Sequence, residues 1–165
     1  MHVRQSGFTL LEIMVVVLIM GLIASLVSVV VAPDQRGLLN VESQRLAQLL
    51  DLATAQARVT GTSMAWFADA SGYGFEQLTP DRAWQAVTDN DALRTRQLPA
   101  GVSISGLLLE NNPVTEDMRV EFPAYGQTSA FTVYLSNGLA RSEVSISPVG
   151  IVNVVVHSGN DNATR

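Results

Sequence analysis

The chain has no cysteine and no lysine, and all ten of its basic residues are arginine. Without cysteine there is no disulfide framework and no thiolate metal site, so a domain outside the cytoplasm would have to be stable through packing alone. The part of the chain after residue 32 carries nine arginines against fourteen acidic residues. This negative balance argues against nonspecific binding to nucleic acid, which needs a positive surface against the phosphates.

Charge is also absent from one long segment near the start of the chain. Residues 13–32 contain no charged residue. At about 1.5 Å per residue, this segment forms a helix of about 30 Å, the thickness of the hydrocarbon core of a bilayer. Arg4 precedes it, so the charge distribution predicts a cytoplasmic amino terminus and a translocated remainder.

Three interpretations of this segment compete. A cleaved secretory signal peptide would have a shorter apolar stretch, and cleavage after Ala32 would leave Pro33 next to the cut. A plain membrane anchor explains the length and the orientation, and it tolerates Glu12 near the positive end of the helix dipole without requiring it. The third interpretation uses residues 7–12 together, which are Gly-Phe-Thr-Leu-Leu-Glu.

These six residues follow a short polar leader with one arginine and precede an unbroken apolar run. The arrangement resembles the class III signal of type IV prepilins and type II secretion pseudopilins. The resemblance implies that a prepilin peptidase cleaves between Gly7 and Phe8 and methylates the new amino terminus at Phe8. It also implies a role in filament assembly for Glu12. Pairing Glu12 with the Phe8 amine of a neighbouring subunit would offset the cost of burying each charge and would set the axial register.

A second helical pattern follows Pro33 and Gly37, which predict a kink or a break. The pattern stops at Gly61, a suitable residue just after a helix. We expect an amphipathic helix half over residues 33–61, with one apolar stripe that covers another element. The stripe consists of Leu39, Leu46, Leu49, Leu50, Ala53 and Ala57.

From residue 64 the apolar pattern changes to a period of two, which predicts strands. The alternating or apolar segments lie at 64–69, 73–78, 102–105, 119–122, 131–136, 144–147 and 151–156. Asn137-Gly138 has the sequence of a tight hairpin turn, and residues 79–96 and 110–117 are predicted to be loops. Helix first and strands afterwards predict an α+β fold. It would be pilin-like, with a long N-terminal helix packed on a C-terminal antiparallel β domain.

This pattern divides the chain into four predicted parts. They are a leader over residues 1–7, a transmembrane and assembly helix over 8–32, an amphipathic helix half over 33–61, and a β-rich globular domain over 62–165. Within the apolar helix, Gly21 and Ser25 are small residues four positions apart. Such a spacing lets membrane helices approach closely, so these two residues are predicted to contact a neighbouring helix.

Looser resemblances in the rest of the chain narrow the family. Residues 45–47, 55–61, 122–126 and 147–151 are similar to segments of the family that groups the type II secretion H pseudopilin with the minor pilin FimT. The resemblance implies a minor pseudopilin that assists protein export across the outer membrane and is not an enzyme. The alternative is a FimT-like minor type IV pilin in DNA uptake or pilus assembly, in which Arg94, Arg96 and Arg141 could cluster.

Partners and location are implied by the same resemblance. The partners would be the major pseudopilin, the minor pseudopilins of the tip and the prepilin peptidase. The protein would cross the bacterial inner membrane once, with a cytoplasmic amino terminus and a periplasmic domain, and would then join a periplasmic pseudopilus. No cofactor and no small-molecule substrate are expected.

No catalytic or metal-binding site is predicted. His157 is the only histidine outside the leader, and no nucleophile elbow or other catalytic motif accompanies it. A periplasmic enzyme on a plain anchor is therefore the weaker alternative. Asn160-Asp161-Asn162 offers oxygen ligands of the kind calcium takes, but its spacing matches no calcium-binding loop. Trp66, Phe67 and Trp84 are predicted to pack in or beside the core.

Overall fold

A computed structural model describes residues 9–30 and 35–158 of the chain. The chain divides into two compact units, Met1–Asp34 and Gln35–Arg165. The first contains helix α1, and the second contains helix α2 and all ten strands described. The break predicted at Pro33 lies outside the described residues.

Helix α1 spans Leu10–Val30, and Thr9 caps its amino-terminal end. The Thr9 hydroxyl oxygen accepts a hydrogen bond from the backbone N–H of Glu12 at 3.2 Å. A threonine followed three residues later by a glutamate is the capping-box spacing, which satisfies N–H groups that the helix itself leaves free. Side chains of α1 are described from Leu10 to Ile23, and all of these are exposed. Over the described residues, no helix has both the length and the apolar character needed to cross a membrane.

Helix α2 spans Gln35–Thr60, and its predicted apolar stripe is confirmed. All six stripe residues are buried. The helix ends where the sequence predicts, because the next residue, Gly61, has a φ of 65°. Glycine adopts this left-handed conformation without steric cost, and it commonly follows a helix C-terminus for that reason.

The strands form two antiparallel sheets of five strands each. The first, sheet A, has the order β3-β2-β1-β7, and β4 also pairs with β2. Its strands are β1 Met64–Ala68, β2 Gly72–Leu78, β3 Trp84–Ala86, β4 Arg96–Gln97 and β7 Met118–Phe122. The second, sheet B, has the order β10-β9-β8-β5-β6. Its strands are β5 Ser103–Leu109, β6 Asn112–Val114, β8 Phe131–Ser136, β9 Ala140–Ile146 and β10 Val152–Ser158.

The two predicted loops are wrong in part, because each contains short regular structure. Residues 79–96 include β3 and a single 3₁₀ turn at Asp91–Leu93, and residues 110–117 include β6. The strands β3 and β6 have three residues each, too few to show a period. Both strands form by pairing at sheet edges. Their formation therefore depends on tertiary contacts rather than on a local sequence pattern.

The predicted hairpin turn is confirmed between β8 and β9. Gly138 has a φ of 80°, which a residue with a side chain rarely adopts. The side-chain oxygen of Asn137 accepts hydrogen bonds from the backbone N–H groups of Leu139 at 3.1 Å and Ala140 at 2.8 Å. These bonds fix the register in which β8 pairs with β9.

One core joins α2 to both sheets. The apolar stripe of α2 packs mainly across β9 and β10 and also reaches β1. The sheets meet at Phe131 of β8, whose ring lies 6.5 Å from the ring of Trp66 and 6.0 Å from that of Phe122, between centroids. The helix-on-sheet α+β architecture predicted from the sequence is therefore present.

Candidate functional site

The candidate assembly site lies at the start of α1. Glu12 is in the first turn of the helix, where a carboxylate is stabilised by the positive end of the helix dipole. Its side chain is exposed, as are the apolar side chains around it. Gly7 and Phe8 lie outside the described residues, so the cleavage site stays a prediction.

The role of Thr9 was missed from the sequence, although the signal was present. Thr9 and Glu12 have the Thr-x-x-Glu spacing of a capping box. The structure shows one half of that motif, the bond from the Glu12 N–H to the Thr9 hydroxyl. Glu12 therefore takes part in capping the helix through its backbone N–H. This is separate from the carboxylate charge that the predicted pairing would use.

Gly21 lies within α1, and a Cβ added there would meet no atom within 4 Å. Ser25 lies one turn further along the same helix, and its side chain is outside the described set. The backbone places both positions on one face of the helix. Their predicted contact with a neighbouring helix is untested.

A buried polar cluster joins α2 to sheet A. The Tyr73 hydroxyl donates a hydrogen bond to one Glu42 carboxylate oxygen at 2.8 Å, and Arg45 donates to the other at 2.7 Å. Glu42 is only 2% exposed. Burial raises the pKa of Tyr73 above its usual value, and the hydrogen bond to Glu42 adds to the shift. This cluster joins the helix to the sheet through two buried side chains, Glu42 and Tyr73, whereas the side chain of Arg45 is half-exposed.

The Glu42 cluster could have been found in the sequence. Glu42 lies three residues after Leu39 and four before Leu46, which puts it on the apolar stripe. A charged residue on a buried stripe needs a partner. The spacing could therefore have predicted a buried carboxylate with a partner, but it gives no means of choosing Tyr73 as that partner.

The one histidine that the structure describes, His157, lies on β10 beside a carboxylate of β9. His157 Nε2 lies 3.3 Å from a carboxylate oxygen of Glu143, and both side chains are partly exposed. No group of histidine, aspartate and glutamate residues suited to a metal ion is present among the residues that the structure describes. Residues 160–162 lie outside them.

Comparison with known protein families gives two matches along the chain. Residues 3–28 match the prokaryotic N-terminal methylation motif, and residues 42–150 match the family described as type II transport protein GspH. The second match covers about two thirds of the chain, including α2 from Glu42 and all strands but β10. The chain belongs to the GspH family.

Relatives of this GspH-family chain agree with the assignment. Over 99 residues it is 35% identical to the type II secretion system protein H of Aeromonas hydrophila, a match that covers 58% of the chain and 54% of that protein. The chain thus spans about half the length of the curated relative it matches.

The fold is shared with solved structures of the minor pseudopilin EpsH of Vibrio cholerae. Two such structures superpose with TM-scores of 0.59 and 0.62, each at 18% identity. They cover 74% and 76% of this chain, and 98% and 99% of their own. At this identity the likeness shows the fold alone, and it confirms the pilin-like prediction.

Each of the three arginines proposed as a DNA-binding cluster has a contact within the protein. Arg94 pairs with Asp91 at 3.3 Å, and Arg96 donates to the backbone oxygen of Ala92 at 3.2 Å. Arg141 lies on sheet B, where its guanidinium is 5.6 Å from the ring centroid of Tyr134. The match to the family described as type II transport protein GspH weighs against the FimT-like alternative.

Proposed function

We propose that this GspH-family chain is a minor subunit of the type II secretion pseudopilus. The supporting observation is the order of its two matches: a methylation motif over residues 3–28 precedes a GspH domain over residues 42–150 in one chain. In this proposal the subunit assists export of folded proteins across the outer membrane. It acts by assembling with the major and the other minor pseudopilins and performs no catalysis.

The proposed maturation begins with removal of residues 1–7. Prepilin peptidase cleaves after Gly7 and methylates the amine of Phe8. Residues 8–32 anchor the subunit in the inner membrane, and the unit Gln35–Arg165 lies in the periplasm. In support, residues 13–32 carry no charge, and the apolar side chains of α1 from Leu10 to Ile23 are exposed. Lipid covers such side chains first, and neighbouring subunits cover them in the filament.

In this proposal, assembly of the filament depends on Glu12. Its carboxylate pairs with the cationic amine of Phe8 on the adjacent subunit, in contacts from which water is excluded. Each charge alone would be costly to bury, and the pair is retained because it fixes one axial register. The capping bond of Thr9 holds Glu12 in the first helical turn, so the carboxylate has a defined position along α1.

The mass of the protein from native membranes tests the maturation. We expect a chain that begins with N-methylated Phe8. A chain that begins at Met1 in cells with active prepilin peptidase would reject the processing step, and with it the pairing of Glu12 with Phe8.

A glutamine substitution separates the two roles of Glu12. Glutamine replaces glutamate in capping boxes but carries no charge. We expect Glu12→Gln to be processed normally and to be absent from sheared pseudopili. A Thr9→Ser variant, which keeps the capping oxygen, serves as the matched control and should assemble. Normal incorporation of Glu12→Gln would show that charge pairing is not required.

A further inference from the structure

The edge strand β10 differs from the other sheet edges in the described residues. It has seven residues and contains no proline, arginine, aspartate or glutamate. At the other edges, β3 and β6 have three residues, β4 has two, and β7 carries Arg119 and Glu121. Proteins usually protect a sheet edge by short strands, charges or proline. The β10 edge has none of these protections, while Pro113 lies in β6 at the opposite edge of the same sheet.

The hydrogen-bonding direction of β10 follows from its register with β9. Beyond the last paired position, the Ser147 N–H donates to the backbone oxygen of Ile151 at 3.0 Å. Bonded pairs alternate along an antiparallel ladder. Every second residue after Ile151 therefore bonds to β9, and the backbone groups of Val152, Val154 and Val156 point away from β9. Within the described residues, no hydrogen bond to these outward groups is present.

A groove of about 510 Å³ lies beside the first half of this edge. One wall is formed by residues 150–154, which include Val152 and Val154. The other is the flank of α2, which supplies Gln44, Gln48 and Asp51. Glutamine side chains can donate to and accept from a main chain, and five residues of extended chain span about 16 Å at the usual strand rise. The groove therefore suits an extended segment.

The charge beside the groove indicates what kind of segment could bind there. Asp51 is the one charged residue among those that line the groove, and it is exposed. Two copies of the chain paired through β10 would bring their Asp51 carboxylates toward one groove, and like charges repel. An incoming strand with an arginine or lysine would instead pair with Asp51.

We propose that the β10 edge and the α2 flank bind an extended segment of another protein, which adds to sheet B as a further strand and places a basic side chain beside Asp51. Main-chain hydrogen bonds provide the affinity, and Asp51 provides selectivity. The inference rests on the unit Gln35–Arg165 and not on the pseudopilus role, so either can fail without the other.

Hydrogen exchange of valine amides tests this proposal on the full chain in detergent micelles. The probe is a capped seven-residue peptide of alternating valine and threonine with a central arginine. At a peptide concentration ten times the Kd, we expect exchange of the Val152, Val154 and Val156 amides to slow about tenfold. The Val155 amide, which bonds to β9, should not change. A peptide N-methylated at alternate residues should have no effect.

Two variants separate the edge from the charge. Val156→Pro removes one outward N–H without touching the bonds to β9 and should weaken peptide binding. Val156→Thr, which keeps the N–H, should not. Asp51→Asn should weaken binding of the arginine peptide but leave unchanged the binding of a peptide with glutamine at that position.

Three results would overturn the proposal. The first is an unchanged exchange rate at every peptide concentration, or equal protection by the N-methylated peptide. The second is protection of the three outward amides in the free monomer, which would assign the edge to residues 159–165 of the same chain. The third is protection that rises with protein concentration alone, which would assign it to a second copy.

Discussion

At the scale of single residues, the stability of the globular unit depends on the hydrogen bonds that the buried Glu42 carboxylate accepts. A carboxylate that is nearly inaccessible to water is tolerated only with donors on its oxygens. Tyr73 and Arg45 supply these from opposite sides of the interface, one on β2 and the other on α2 itself. The Tyr73 bond is the one that connects the helix to the sheet.

Replacing Tyr73 by phenylalanine should destabilise the unit. The substitution removes the only donor from sheet A to Glu42 in the described residues and leaves a buried acceptor short of one bond, at a cost of about 1–3 kcal/mol. Urea unfolding of residues 35–165 measures the change. Tyr125→Phe is the matched control, because Tyr125 is 83% exposed. Equal stability of the two variants would contradict this role.

The same tyrosine should make stability depend on alkaline pH. Burial raises the pKa of folded Tyr73, whereas in the unfolded chain it ionises near its ordinary value of about 10. The stabilisation is therefore complete below about pH 10 and is lost as pH rises toward the folded pKa. The free energy of unfolding should fall above pH 10 more steeply in the native chain than in Tyr73→Phe. Parallel profiles would contradict the expectation.

Gly72 should tolerate no side chain. A Cβ at this position would overlap the backbone oxygen of Arg96 on β4, whereas a Cβ at Gly106 would lie 3.7 Å from the nearest atom, Cδ2 of Tyr134. Backbone cannot move aside as a side chain can, so Gly72→Ala should cost about 1–3 kcal/mol. Gly106→Ala is the control in thermal unfolding. A similar loss in both variants would attribute the effect to strand propensity rather than to β4.

At the scale of elements, the sequence predicted the helices and strands whose apolar residues recur at a regular spacing. The stripe of α2 and the strands with alternating apolar residues were found because burial on one face imposes a period. The short strands β3 and β6 were missed because three residues carry no period, and their pairing depends on β2 and β5. At the candidate site, the assembly role that residues 7–12 predict for Glu12 stays a prediction. The partner of Glu42 could not be inferred, since it depends on the docking of α2.

The stripe of α2 gives a direct test at this scale. Leu50 is fully buried, and Leu52, two positions along the same helix, is 37% exposed. Leu50→Ala should cost about 2–5 kcal/mol through lost burial and a cavity. Leu52→Ala should cost less than about 1 kcal/mol. Chemical denaturation of both variants measures the difference, and similar costs would mean that α2 does not pack by the observed face.

At the scale of the whole molecule, charge determines what the part of the chain after residue 32 can bind. Its nine arginines are outnumbered by fourteen acidic residues, and several are held by internal partners. Arg119, for example, pairs with Glu76 at 2.6 Å and lies over the ring of Trp84. Such arginines are not available to phosphates.

Residues 35–165 should therefore not bind double-stranded DNA. We expect a Kd weaker than about 10⁻⁴ M even at low salt, beyond the usual nonspecific range. Fluorescence anisotropy with a labelled duplex measures it, and a variant with Asp51, Asp89 and Glu121 changed to lysine is the positive comparison. Salt-sensitive binding by the native chain would revive the DNA-uptake alternative.

The packing of α2 against the last two strands has a consequence for synthesis of the chain. The chain is synthesised from its amino terminus. Helix α2 is therefore made well before β9 and β10, the strands that cover most of its apolar stripe. Contacts between distant parts of a chain form late, because the intervening chain must first be brought together. Until residue 158 has been synthesised, the apolar face of α2 lacks its main cover. During this interval the nascent domain is most open to proteases and most in need of a chaperone.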